Sequence, residues 1–216
     1  MKTYDVFYPH VLPDVPGCPP EMAVIALRNT IIEFCEKSFI NQVTQDPITL
    51  RANITDYDLD APSGYRVQKI MRAWFRGKEL GPIAPDAISG PDIYSQNIPG
   101  YTATKGPPTA YTQKESGLLS FMPIPDQTYQ GSVTIRVAVV PLRDSVKFDD
   151  FLYEEWCEAI ACGAKARLML TSGKPYTNKE GAGINQSRYL IALNDARQRA
   201  IRGNVRSDLS VKLRKP

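Results

Sequence analysis

The chain has 216 residues, 43% of them hydrophobic and 23% charged, with a formal net charge of +3. This is the composition of an ordinary soluble globular protein, long enough to bury a core as one domain or as one domain with a large insertion. No run approaches the ~20 consecutive apolar residues that span a bilayer, which excludes a helical membrane anchor within the sequence.

The start, Met1-Lys2-Thr3-Tyr4-Asp5, has no basic region followed by an apolar run. No signal peptide is therefore expected, and the chain is expected to fold in the cytoplasm of the cell that makes it. A proline-rich lead follows, with Pro9, Pro13, Pro16, Pro19 and Pro20. Because proline fixes φ and lacks an N–H donor, the lead reads as extended and non-helical. From Pro20 to Ser38, Val24, Leu27, Ile31, Phe34, Cys35 and Ser38 recur at spacings of three and four, which predicts a helix with one mostly apolar stripe.

Residues 42–148 change character. Thr49–Tyr57 and Tyr65–Arg76 read as two strands joined across the turn Pro62-Ser63-Gly64, which suggests a hairpin. Gly77–Leu80 reads as a turn into a short strand. Residues 81–108, rich in Pro, Gly, Ser and Asn, read as a long loop. Further strands are expected at Thr109–Gln113, Leu118–Met122 and Ser132–Pro141. In the last of these Val133, Ile135, Val137 and Val139 alternate with Thr134, Arg136 and Ala138.

Two helices follow. Phe151–Ser172 carries Leu152, Trp156, Ala159, Gly163, Ala166 and Leu170 along one line, with Asp149 and Asp150 as candidate N-caps. Three of those six are small, so Trp156, Ala159, Gly163 and Ala166 mark a close helix–helix contact. Gly173 and Pro175 should end this helix. Thr177-Asn178-Lys179-Glu180 has the pattern of a capping box that opens a helix reaching Arg202. Tyr189, Leu193, Ala196 and Ala200 form its core stripe, and Gly203 ends it. The whole reads as α+β: a lead and first helix over 1–41, an inserted antiparallel β-sandwich-like unit over 42–148, two closing helices over 149–203 and an extended basic arm over 204–216.

Chemistry is sparse. His10 is the sole histidine and sits in the lead; a triad or a histidine acid–base pair would depend on it. Cys18, Cys35, Cys157 and Cys162 lack metal-ligand spacing, and Cys157 and Cys162 lie about 140° apart on their helix. The pairs Asp149–Asp150 and Glu154–Glu155 sit at a helix start, where acids favour the helix dipole. No cofactor, metal or enzymatic activity is expected. Charge, by contrast, is unevenly placed. Residues 1–164 hold 14 Lys/Arg against 20 Asp/Glu (net −6), and residues 165–216 hold 12 against three (net +9). Arg188, Arg199 and Arg202 form a stripe beside the core face of the last helix, extended by Arg206, Lys212, Arg214 and Lys215. Such a stripe fits an acidic protein surface or a nucleic acid, and the tail lacks the aromatic residues that stack on bases.

Three segments carry a resemblance. Val11–Pro19 runs straight into Ala26–Ser38. Tyr153–Leu170 forms a later helix. Thr171-Ser172-Gly173-Lys174-Pro175-Tyr176-Thr177-Asn178 forms the turn after it. Together with the order helix, β insertion, helix, helix, these resemble the head-to-tail adaptor proteins of tailed bacteriophages, a resemblance that spans most of the chain except the loop 81–108. It implies a three-helix adaptor bundle with the β unit attached, assembled with itself into a homo-oligomeric ring of roughly twelve copies. It implies a place in the virion neck, between the portal protein and the tail nozzle or other tail proteins. Genomic DNA would pass through the channel without sequence-specific binding, the C-terminal arm would reach the portal, and no membrane is involved. On this reading Arg199, Arg202, Arg206, Lys212, Arg214 and Lys215 dock on the portal or face the DNA. Two other readings stay open: a tail-completion or stopper ring that does not touch the portal, and a nucleic-acid-binding module that uses the basic tail.

Overall fold

The computed structural model describes residues 1–84, 105–113, 115 and 117–203. The chain opens with a short strand, β1 (Lys2–Thr3), followed by a 3-10 turn at Tyr4–Phe7, a single helical turn α1 (Tyr8–Val11) and a second 3-10 turn at Leu12–Asp14. The proline-rich lead is therefore coiled, not extended as the sequence reading has it. Pro9 and Pro13 each stand at the first turn of their element, where a missing N–H costs no hydrogen bond. Tyr4, Phe7, Val11 and Val15, spaced by three and four, are all buried.

The long helix α2 (Pro20–Ser38) ends at Phe39, whose φ of 56° turns the chain out of the helix while its N–H donates to the Cys35 carbonyl. Then come β2 (Gln42–Thr44), β3 (Ile48–Leu50), β4 (Asp56–Asp58), β5 (Tyr65–Phe75), β6 (Lys78–Glu79) and β7 (Gly81–Pro82). The expected loop 81–108 is entered by β7, and its residues 85–104 lie outside the described residues; after them the chain adds β8 (Ala110–Thr112), β9 (Leu118–Met122), β10 (Tyr129–Pro141) and β11 (Lys147–Phe148). The helices α3 (Asp150–Met169) and α4 (Lys179–Arg202) complete it.

The expected hairpin across Pro62-Ser63-Gly64 does not form. The Tyr65 N–H does bond the Pro62 carbonyl, but β4 pairs with β9 whereas β5 pairs with β10 and β6. One sheet runs β2-β10-β5-β6, with β3 also on β10, and the other runs β4-β9-β8-β7. The pairing of β7 with β8 is parallel, unlike the others, which departs from a purely antiparallel unit. Side chains of both sheets share one core: Val67, Ile70, Val133, Ile135 and Val137 from the first, Tyr111, Leu119 and Phe121 from the second. This is the sandwich expected; β10 alternates from Val133 to Val137 and then, where its register on β5 shifts, buries Ala138 and Val140 as well.

A second core joins α2, α3, α4 and the coiled lead. Val140 and Phe148 belong to it, so the end of β10 and β11 are packed against the helices. The chain leaves the helices at Asn41 and returns at Asp149, and these two residues touch: Asn41 Nδ2 donates to Asp149 Oδ2 at 2.7 Å. Asp149 is thus occupied across the insertion, and its side chain makes no capping bond to α3. In α4 the cap is Asn178, whose Oδ1 accepts from the Gly181 N–H at 2.9 Å. Thr177, the residue expected to cap, instead donates to the Thr171 carbonyl and accepts from the Lys174 N–H, which fastens the turn between the two helices.

Candidate interaction surfaces

The contact expected along α3 is present. Ala159, Gly163 and Ala166 are buried. At Gly163 a Cβ would lie 2.5 Å from Thr30 Cγ2 on α2 and 2.7 Å from Tyr189 Cδ2 on α4. No real side chain tolerates such distances, so glycine is what lets the three helices meet there. Leu170, assigned to the same stripe, is 59% exposed; α3 ends at Met169, one residue before it. Trp156 is half-buried and interrupts the helix with φ −126° and ψ 18°. Its ring lies 5.4 Å from that of Phe34, and the Arg199 guanidinium sits 5.9 Å above it.

The predicted arginine stripe divides. Arg199 bonds Glu155 at 2.7 Å, so it fastens α4 to α3. Arg202 is exposed on the last turn. Arg206, Lys212, Arg214 and Lys215 lie outside the described residues. Elsewhere on α4, Ile184 and Ile191, two turns apart, are 52% and 65% exposed. They stand opposite the buried Tyr189, Leu193 and Ala196, with the exposed Ser187 and Arg188 between them on the outer face.

One feature the sequence did not announce is a cleft of about 580 Å³ where the end of α4 crosses the outer face of the first sheet. Arg199 and Arg202 approach from the helix, Arg72 from β5 and Arg136 from β10, over Ile40, Met71, Phe151 and Ile201. Arg72 and Arg136 are directly opposed across the two strands, an arrangement of like charges that weakens a sheet. The Arg136 guanidinium lies 5.8 Å over the Trp74 ring. Arg72 has Glu79 at 3.8 Å. Among the described residues Arg136 and Arg202 have no carboxylate within ion-pair distance. Gln42 bridges the two walls: its Nε2 donates to the Phe39 and Ala200 carbonyls, each at 3.0 Å. Sequence placed Arg136 among the positions that alternate with the buried valines of its strand; Arg72 stands on the strand beside it. That those strands are neighbours, 64 residues apart in the chain, is a long-range pairing that no local pattern carries.

The remaining candidates resolve into packing. His10 Nε2 lies 3.3 Å from the Tyr153 hydroxyl on the surface. Glu154 pairs with Lys2, and Glu155 with Arg199. All four cysteines are free thiols, and burial pushes that of Cys35 far above the ordinary thiol range. Among the described residues no group of His, Cys, Asp and Glu is placed to hold a metal ion, and no helix is long and apolar enough to cross a membrane.

The fold is thus of the mixed α+β class, a helical bundle interrupted by a β-sandwich. No protein-family model matches the chain, and no curated protein matches it either.

Proposed function

We propose that this chain is a structural virion protein: a head-to-tail adaptor that works as one copy of a ring, joins the portal to the tail and continues the DNA channel. The observation that carries the reading is the outer face of α4. Its inner face is packed tightly enough to require a glycine at 163, while Ile184 and Ile191 stand exposed on the opposite side. Two exposed isoleucines set among Ser187, Arg188 and Asp195 give that face the mixed apolar and charged character of a contact between subunits. Twelve-fold closure, a tail nozzle partner and a virion location come from the resemblance of Val11–Ser38 and Tyr153–Asn178 to phage adaptors.

The portal would be met by the C-terminal segment, with Arg199 and Arg202 at its base and Arg206, Lys212, Arg214 and Lys215 along it. Charge of one sign speeds encounter with an acidic ring, and Val205, Leu209, Val211 and Leu213, mostly spaced by two, suit a strand laid on a partner. Deleting Asp208–Pro216 and measuring binding to purified, DNA-free portal tests this. Loss of binding is the expected result; undiminished binding refutes the docking role and leaves a DNA-facing role or a passive tail.

A further inference from the structure

The arginine cleft asks for an anion. The helix dipole accounts for Arg199 and Arg202, because cations in a last turn are favoured there. It does not account for Arg72 and Arg136, which stand on a sheet, face each other across two strands and border the same cleft. Arg199 is already held by Glu155. Among the described residues the lining carries four guanidinium groups and one carboxylate, with Glu79 beside Arg72 at 3.8 Å, and Arg136 and Arg202 have no carboxylate in ion-pair range.

We propose that this cleft binds an acidic peptide segment of a partner protein, one in which carboxylates flank an apolar side chain. The inference goes beyond the adaptor reading and does not rest on it. A carboxylate accepts two parallel N–H bonds from one guanidinium, and Arg72 and Arg136 offer two such forks on adjacent strands. Ile40, Met71, Phe151 and Ile201 supply an apolar floor between the charged walls, which phosphates alone would leave unused. Among the described residues Phe151 is the one aromatic ring in the lining, so successive bases would have a single ring to stack on. The sequence that follows Gly203 is itself basic, and so cannot supply the anion. The Gln42 bridge from β2 to the end of α4 holds both walls in place before any partner arrives.

Fluorescence anisotropy with a short fluorescein-labelled peptide of alternating Asp and Leu, added to the full chain, tests the proposal. Saturable binding is expected, with no binding of the matching Ser–Leu peptide. Arg72→Gln and Arg136→Gln should each weaken it about tenfold, the loss that accompanies removal of one charge-assisted hydrogen bond. Arg197→Gln, an exposed arginine of α4 outside the cleft, should leave it unchanged. Arg72 and Arg136 are both exposed, so the variants should fold, which circular dichroism checks; Arg136→Lys, which keeps charge and loses the fork, should fall between. Absence of saturable binding, or an equal loss in Arg197→Gln, overturns the proposal. So does a single-stranded oligonucleotide that binds more tightly than the peptide and responds to the same variants, since nucleic acid would then be the occupant. Self-association that the Asp–Leu peptide competes away would make a second copy of the chain the occupant and would equally overturn it.

Discussion

Gly163 and Tyr189 meet so closely that a single added carbon on Gly163 would stand 2.7 Å from the tyrosine ring. The Tyr189 ring is buried, and its centroid lies 6.1 Å from that of Phe34, so it has no open side to move into. Thr30 closes the other flank, its hydroxyl bonded to the Ala26 carbonyl at 2.8 Å. Gly163→Leu should therefore lower stability by about 1–3 kcal/mol, and Gly163→Ala should already be destabilising. Urea unfolding of the two variants checks both. Tyr189→Leu combined with Gly163→Ala should cost less than the two changes added separately, because the clash is shared. A Gly163→Leu protein that unfolds like the parent would mean the helices do not meet there.

The opposed arginines predict a gain. Arg136→Thr removes one of two like charges standing across β5 and β10 and leaves a good strand former. Stability should rise by about 0.2–1 kcal/mol, offset in part by loss of the contact with Trp74. Thermal melting at low and high salt separates the two effects, because screening reduces the repulsion and leaves the packing. A variant that is less stable at every ionic strength would show that the pair is not a strain on the sheet.

Glu33 gives a pH dependence with a definite sign. Partial burial raises its pKa, but the bonds from Lys37 and from Arg167 of α3 outweigh it, so the carboxyl lies below its ordinary value of 4.5. A lowered folded pKa contributes stability that is present above the unfolded value and is lost as the pH falls through the folded one. Glu33→Gln should thus cost about 1 kcal/mol or less at neutral pH and should flatten the decline in acid. Urea midpoints from neutral to acid pH measure this; identical slopes for parent and variant would contradict it.

Ile184 and Ile191 separate folding from assembly. As exposed positions, Ile184→Ser and Ile191→Ser should change stability by no more than about 0.5 kcal/mol. If α4 forms a seam in a ring, the double variant should fail to assemble on the portal while melting like the parent. Unimpaired assembly would move the seam to another face.

How much of this could be read from the chain itself depends on the range of the interaction. The three long helices are legible because Leu27, Ile31 and Phe34, or Tyr189, Leu193 and Ala196, repeat with the helical period, and β10 is legible because its valines alternate. Gly163 stood out as a small residue on an apolar line. The lead departs from the extended form for a physical reason: Tyr4, Phe7, Val11 and Val15 carry a helical period, and Pro9 and Pro13 stand at first turns where proline does not oppose it. The arginine cleft was not legible at all. Arg72 and Arg136 become a pair through the register of β5 on β10, and Asp149 is drawn from its capping role by Asn41 on the far side of the insertion.

That last bond also sets how the two parts of the molecule can diverge. With Asn41 and Asp149 side by side, the 107 residues between them start and finish at one point on the helical frame. The entropy of closing such an excursion grows only with the logarithm of its length, so each doubling costs about 0.6 kcal/mol. The helices are thus largely indifferent to how long the detour is, provided that Val140 and Phe148 still reach their core. A sandwich of another length, or another unit whose ends meet at the same point, should leave the bundle that holds Gly163 intact.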